Sequence, residues 1–112
     1  MAYDEDLARR IRELVAGETQ LTEKKMFGGL AFLIRGNMAV AASGQGGIMV
    51  RVDPALSDAL AADSPARPAE MRGRPMRGWL RVDIEDLQTA EELAAWVARG
   101  ISFARSLPAK RA

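Results

Sequence analysis

The sequence has no cysteine and no histidine among its 112 residues. The absence of cysteine excludes disulfides and thiolate nucleophiles, and the absence of both residue types excludes the usual ligands of zinc and haem. A serine–histidine–aspartate triad is excluded for the same reason. Because no residue spacing marks any carboxylate as a catalytic acid, we expect a protein that is not an enzyme and that uses no cofactor or metal.

Long apolar runs are also missing. The longest one, from Met26 to Ile34, is interrupted by glycine and is far shorter than the ~20 residues that span a bilayer. The N-terminus carries charges of both signs, unlike a signal peptide. The net charge of +1 gives no long-range attraction to nucleic acid or to an anionic membrane. We therefore expect a cytoplasmic protein that makes no contact with membranes.

The chain is of the length and composition of one globular domain, residues 1–112, with a core at about 5–108 and a basic tail at 109–112. Helical spacing of apolar residues predicts a first helix over 4–16. Asp53 and Pro54 predict the start of a second helix, with Leu56 and Leu60 on its apolar face. Thr89 and Glu92 form a capping box that opens a third helix, which ends before Pro108.

The strands are predicted from apolar runs between turn residues. They cover residues 25–34, 38–42, 48–52, 69–72 and 79–82. Gly36–Asn37 predicts a tight turn between the first two strands. The resulting order, α-β-β-β-α-β-β-α, indicates an α+β fold in which an antiparallel sheet carries its helices on one side.

Two glycine positions and the methionines carry further expectations. Gly28–Gly29 lies in an apolar run that continues as a strand, which favours a bulge or a close backbone approach over a phosphate-binding loop. Gly100, inside the third helix, predicts close packing against the sheet. Methionine fills irregular gaps in cores and also suits adaptable interfaces. We expect Met26 and Met49 in the core, and the place of Met76 stays open.

The basic segment from Arg67 to Arg81 holds five arginines and one acid, Glu70. Arginine forks suit phosphates and carboxylates, and a tryptophan within the segment offers a stacking face. An alternative is that these arginines pair with the acidic stretch from Asp83 to Glu92. The candidate contact residues are Arg67, Arg72, Arg74, Met76, Arg77 and Trp79.

Several short segments together resemble the N-terminal domain of the TfoX/Sxy competence-regulator family. The resemblance covers about residues 5–108, and the order and spacing of the segments are more specific than any one of them. The segments are Met26-Phe27-Gly28-Gly29-Leu30-Ala31-Phe32, Gly36-Asn37-Met38, Val50-Arg51-Val52, Gly73-Arg74-Pro75-Met76-Arg77-Gly78-Trp79, Trp96-Val97 and Phe103-Ala104-Arg105-Ser106-Leu107-Pro108.

The resemblance implies a two-layer α/β sandwich and a bacterial cytoplasmic protein. Full-length relatives carry a second, C-terminal domain and regulate DNA-uptake competence by acting with a cyclic-AMP receptor protein at promoters. We expect this chain to be a stand-alone member of the family. The family supplies no catalytic residues to transfer.

The leading hypothesis is a non-enzymatic interaction module, related to competence regulators, that acts as a transcription co-regulator through protein contacts. Its predicted contact surface runs from Arg72 to Arg81. Two alternatives stay open. One is direct nucleic-acid binding through the basic segment, and the other is binding of a small anion in a pocket lined by Arg74 and the Gly28–Gly29 turn. Formation of a homodimer is compatible with all three.

Overall fold

The computed structural model describes residues 3–26, 28–71 and 73–109. Phe27, Arg72 and the last three residues of the expected basic tail lie outside the described residues. Within the described ranges the helices are α1 (Glu5–Leu14), α2 (Pro54–Asp63) and α3 (Ala90–Ser106), with a 3-10 turn at Ile84–Asp86. The strands are β1 (Leu21–Met26), β2 (Gly29–Ile34), β3 (Asn37–Ala42), β4 (Ile48–Arg51), β5 (Arg67–Met71) and β6 (Arg74–Val82).

The six strands form one antiparallel sheet in the order β1-β2-β3-β4-β6-β5. One core cluster joins buried residues of α1 and α3 to the sheet, and α2 packs against it through the partly buried Leu60 and Ala61. The predicted α+β fold, with an antiparallel sheet and its helices on one side, is therefore confirmed. The sheet leaves its second face without a helix in the described part of the chain.

The described residues form one strand more than the sequence predicts. Residues 25–34 form parts of two strands, because β1 ends at Met26 and β2 begins at Gly29. Most of β1 is exposed, so it lacks the apolar alternation that signals a strand. Pairing with β2 makes it a strand. The turn before β3 lies at Arg35–Gly36, one residue earlier than predicted, and Asn37 already pairs with Ile34.

The helix ends follow local sequence signals. Asp53 accepts a hydrogen bond from the backbone N–H of Ala55 at 2.9 Å, and Pro54 occupies the first turn of α2. Thr89 and Glu92 form the predicted capping box of α3. Each cap satisfies backbone donors that a helix leaves free at its N-terminus. The predictions for the starts of α2 and α3 are confirmed.

Close packing of α3 on the sheet is confirmed as well. A methyl group on Gly100 would come within 2.3 Å of the carbonyl oxygen of Ala39. Ala39 lies where the register between β2 and β3 shifts, since Phe32 pairs with Val40 and Leu33 pairs with Met38. The irregular strand thus brings its backbone against the helix at the one position that has no side chain.

Candidate functional site

The hairpin of β5 and β6, residues 67–82, contains the predicted contact residues and is here called the basic hairpin. Strand β5 forms one edge of the sheet. Arg74 and Arg77 are exposed, whereas Met76 and Trp79 are half-buried. Arg72 lies outside the described residues. Five of the predicted contact residues are described. Four of them lie on β6, and the fifth, Arg67, lies on the paired strand β5.

Arg67 forms a salt bridge with Asp83. Its Nη1 and Nη2 donate to the two carboxylate oxygens of Asp83 at 2.6 and 2.9 Å. The hydrogen bonds and the positive charge of Arg67 hold the pKa of Asp83 below its usual range and raise the pKa of Arg67. Pairing with the downstream acids is thus confirmed for Arg67.

The remaining arginines of the basic hairpin have other surroundings. Arg77 Nη2 donates to the carbonyl oxygen of Pro54 at 3.3 Å. In the described part of the chain neither Arg74 nor Arg77 forms a salt bridge. Trp79 is stacked by the guanidinium of Arg51, which lies 5.1 Å from the ring centroid. One face of the predicted stacking platform is therefore already occupied.

A second feature is a cleft of about 330 Å³ next to the basic hairpin, here called the methionine cleft. Ala41, Met49 and Arg81 line it and are cross-strand neighbours. Val50, the next residue after Met49, lies against Gly100 of α3. Since successive side chains of a strand point to opposite faces, the cleft lies on the face that bears no described helix.

The lining of the methionine cleft is mostly apolar. Met26, Met38, Met49 and Met76 are half-buried there, together with Trp79. The prediction that Met26 and Met49 lie in the core is wrong. Both strand faces carry apolar residues here, so the sequence does not show which face the helices cover.

Gly29 lines this cleft, and Gly28 precedes it in the chain. Gly28 has a φ of +77° in the turn between β1 and β2. A Cβ on Gly29 would lie 2.4 Å from the carbonyl oxygen of Ala42, which confirms the predicted close backbone approach. Arg81, and not Arg74, is the arginine in the lining, so the predicted anion pocket of Arg74 and the glycine turn does not have that composition.

Arg81 is the functional candidate that sequence reasoning missed. It was one of five arginines in a basic segment, and no sequence signal separates it from the others. Its Nη1 donates to Gln45 Oε1 and its Nη2 donates to the carbonyl oxygen of Gly46 at 3.1 Å. Among the described residues, its buried Nε has no hydrogen-bond partner. The loop between β3 and β4 thus holds the guanidinium through two of its N–H groups, and the buried Nε stays without a partner.

A wider groove of about 510 Å³ lies between α2 and α3. Leu56 lines it and is 55% exposed, so the prediction that Leu56 helps to form the packing face of α2 is wrong. Ser57 is the buried residue of that helix. The charged residues of the groove are already engaged, because Asp53 caps α2 and Arg99 stacks 4.5 Å from the Trp96 ring centroid.

No helix among the described residues has the length and apolar character needed to cross a membrane. No group of three or more acidic residues within the same ranges is arranged to hold a metal ion.

Comparison with known protein families gives a match over most of the chain. Residues 13–104 match the sequence profile of the TfoX N-terminal domain, which covers the sheet and most of α3. No curated protein and no solved structure matches the chain. The match spans most of the chain, so the chain belongs to the TfoX N-terminal domain family.

Proposed function

We propose that the chain is a non-enzymatic interaction module of the bacterial cytoplasm that takes part in transcription regulation through protein contacts. Membership of the TfoX N-terminal domain family supports a competence-regulator-like role. The partner is a protein with an acidic surface, and the basic hairpin binds it.

One observation carries this proposal: Arg74 and Arg77 are exposed on β6 with no salt bridge to a described residue, whereas Arg67 is neutralised by Asp83. Guanidinium groups without an internal carboxylate are available for a carboxylate on another molecule. Oppositely charged surfaces direct association and fix its register.

The neighbours of these arginines suit a protein interface. Met76 and Trp79 are half-buried beside them, and interfaces are enriched in arginine, methionine and tryptophan. Trp79 precedes the fully buried Leu80 on β6, so its backbone is anchored in the core, and Arg51 stacks on its ring. A contact of this kind combines a rigid aromatic anchor with two charged groups.

Nucleic acid is the less favoured partner. Binding to phosphates strengthens with the number of free cationic side chains. Arg67 is neutralised by Asp83, and Arg81 lies in the methionine cleft, so neither adds a free charge to an extended phosphate-binding surface beside Arg74 and Arg77. Arg51 also covers one face of Trp79, which a base would need for stacking.

The experiment is a comparison of charge-reversal variants. Arg74→Glu/Arg77→Glu changes the basic hairpin, and Lys24→Glu/Lys25→Glu makes the same charge change on β1 at the opposite edge of the sheet. Each tagged protein is incubated with a lysate of the cells that encode it, once without nuclease and once after nuclease treatment, and the bound proteins are quantified by mass spectrometry.

The proposal predicts an acidic protein that binds the native chain and the β1 variant but not the hairpin variant. The protein is then purified, and its dissociation constant is measured with all three chains. A partner outside transcription regulation would contradict the regulatory part of the proposal. Equal capture by both variants, or binding that nuclease abolishes, would contradict the hairpin contact.

A further inference from the structure

The methionine cleft has the properties of a small-molecule site, which goes beyond the contact proposed for the basic hairpin. Its volume of about 330 Å³ is at the small end of the range of about 300–1,000 Å³ that ligand pockets occupy. Such pockets are mostly apolar and contain a few polar groups that fix the orientation of the ligand.

The apolar part of the cleft consists of flexible side chains that lie over buried small residues. Met26, Met49 and Met76 are half-buried, while Ala41 and Ala69 beneath them are buried. The unbranched, polarizable methionine side chain adapts to ligands of different shape. This lining favours a hydrocarbon group over a sugar or a nucleotide.

The polar part of the cleft is Arg81. Its two terminal nitrogens are held by Gln45 and Gly46, and its buried Nε has no partner in the described part of the chain. An unpaired buried donor is rare in folded proteins, and an acceptor brought by a ligand would satisfy it.

The charges around Arg81 favour an anion. Arg67 is its cross-strand neighbour, and the carboxylate of Asp83 is engaged by both terminal nitrogens of Arg67. In the described ranges no carboxylate forms a salt bridge with Arg81. Glu70 also lines the cleft, but it is exposed and lies three positions along β5 from Arg67, roughly 10 Å away.

We propose that the methionine cleft binds a small apolar carboxylic acid. The carboxylate accepts hydrogen bonds from the N–H groups of the Arg81 guanidinium that Gln45 and Gly46 leave free, and the hydrocarbon part lies on the methionine side chains. Glu70 repels the carboxylate from the opposite end of the cleft, so the ligand enters in one orientation.

The test uses straight-chain acids from butanoate to decanoate, titrated into the purified full chain. Two-dimensional NMR of the methionine methyl groups follows binding and locates it. We expect octanoate to shift the signals of Met26, Met49 and Met76 with a dissociation constant below about 1 mM. Acetate, which lacks the apolar part, and octylamine, which lacks the anion, are expected to leave these signals unchanged.

Two variants test the role of Arg81. Arg81→Gln is expected to weaken octanoate binding by roughly ten- to hundred-fold, the value of a hydrogen bond to a charged group. Met49→Glu places a carboxylate directly across the strand pair from Arg81 and is expected to block octanoate while the protein stays folded. Arg99→Gln, on α3, is the control and keeps the native affinity.

The proposal is overturned if no acid in the series shifts the cleft methionines, if octylamine binds as well as octanoate, or if both variants keep the native affinity. The hairpin variant Arg74→Glu/Arg77→Glu keeps octanoate binding under this proposal, because neither residue lines the cleft. The octanoate titration can therefore contradict the ligand proposal without affecting the protein contact, and the pull-down can contradict the protein contact without affecting the ligand proposal.

Discussion

Gly100 of α3 lies so close to Ala39 of β3 that no larger residue fits between helix and sheet without movement. A Cβ at position 100 would be 2.3 Å from the Ala39 carbonyl oxygen and 2.9 Å from a methyl group of Val50. Real Cβ atoms do not approach backbone atoms so closely, because such contacts are strongly repulsive. The glycine thus fixes the distance between the two layers of the fold.

Gly100→Ala is therefore expected to destabilise the protein. In an exposed helix this change would stabilise by about 1 kcal/mol. Here overpacking against the sheet is expected to lower the free energy of unfolding by about 1–3 kcal/mol, measured by urea denaturation. Gly17→Ala is the control, since a Cβ at Gly17 would meet no atom within 4 Å. A stabilised Gly100→Ala protein would contradict the close packing.

Arg35 holds the C-terminal end of α3 from the turn between β2 and β3. Its Nη2 donates to the carbonyl oxygens of Arg105 and Leu107 at 3.0 and 2.7 Å. Carbonyl groups at the end of a helix have no partner within the helix, and a positive charge there is favourable.

The variant Arg35→Asn removes the hydrogen bonds to α3 and keeps a residue that can adopt the backbone conformation of the turn. Arg35 has a φ of +50°, which asparagine tolerates, so the turn is retained and the hydrogen bonds are lost. We expect a loss of about 2 kcal/mol in the free energy of unfolding. Gln20→Asn is the matched control, because Gln20 also has a positive φ, of +60°, and is exposed. Equal stability of both variants would show that the helix contact contributes nothing.

The pair of Arg67 and Asp83 predicts a pH dependence in acid. The hydrogen bonds from Arg67 lower the pKa of Asp83 in the folded protein. The stabilisation is therefore complete above the ordinary carboxyl pKa and is lost as the pH falls from that ordinary value through the lowered one.

Asp83→Asn, Arg67→Gln and the double variant are measured by urea denaturation across this range. At pH 7 the two single changes are expected to be non-additive, because each removes the same interaction. The coupling is expected to shrink as the pH falls below the ordinary carboxyl pKa and to disappear once Asp83 is protonated in the native chain. A coupling that stays constant over the whole range would contradict the ion pair.

Local signals in the sequence predict much of this fold. Asp53 with Pro54, and Thr89 with Glu92, mark helix starts because a cap is formed by residues that are neighbours in the chain. Gly100 could be singled out as well, since a glycine inside a helical pattern requires a tertiary reason. These features depend on few residues outside their own segment.

Features that depend on tertiary pairing could not be predicted in this way. β1 is exposed along most of its length and exists because it pairs with β2. Met49 is apolar, but the packing of α3 against Val50 places Met49 on the opposite face. The special position of Arg81 depends on Gln45 and Gly46, more than thirty residues away in the chain.

The protein contact of the basic hairpin is tested most directly by site-specific photo-crosslinking in living cells. A photoreactive amino acid replaces exposed Pro75, between Arg74 and Arg77, in one chain and exposed Lys25 of β1 in another. If the basic hairpin binds a protein, position 75 gives a crosslinked protein adduct that is absent from position 25 and is lost when Arg74 and Arg77 are both changed to glutamate. Crosslinks to nucleic acid alone, or identical protein adducts from both positions, would contradict it.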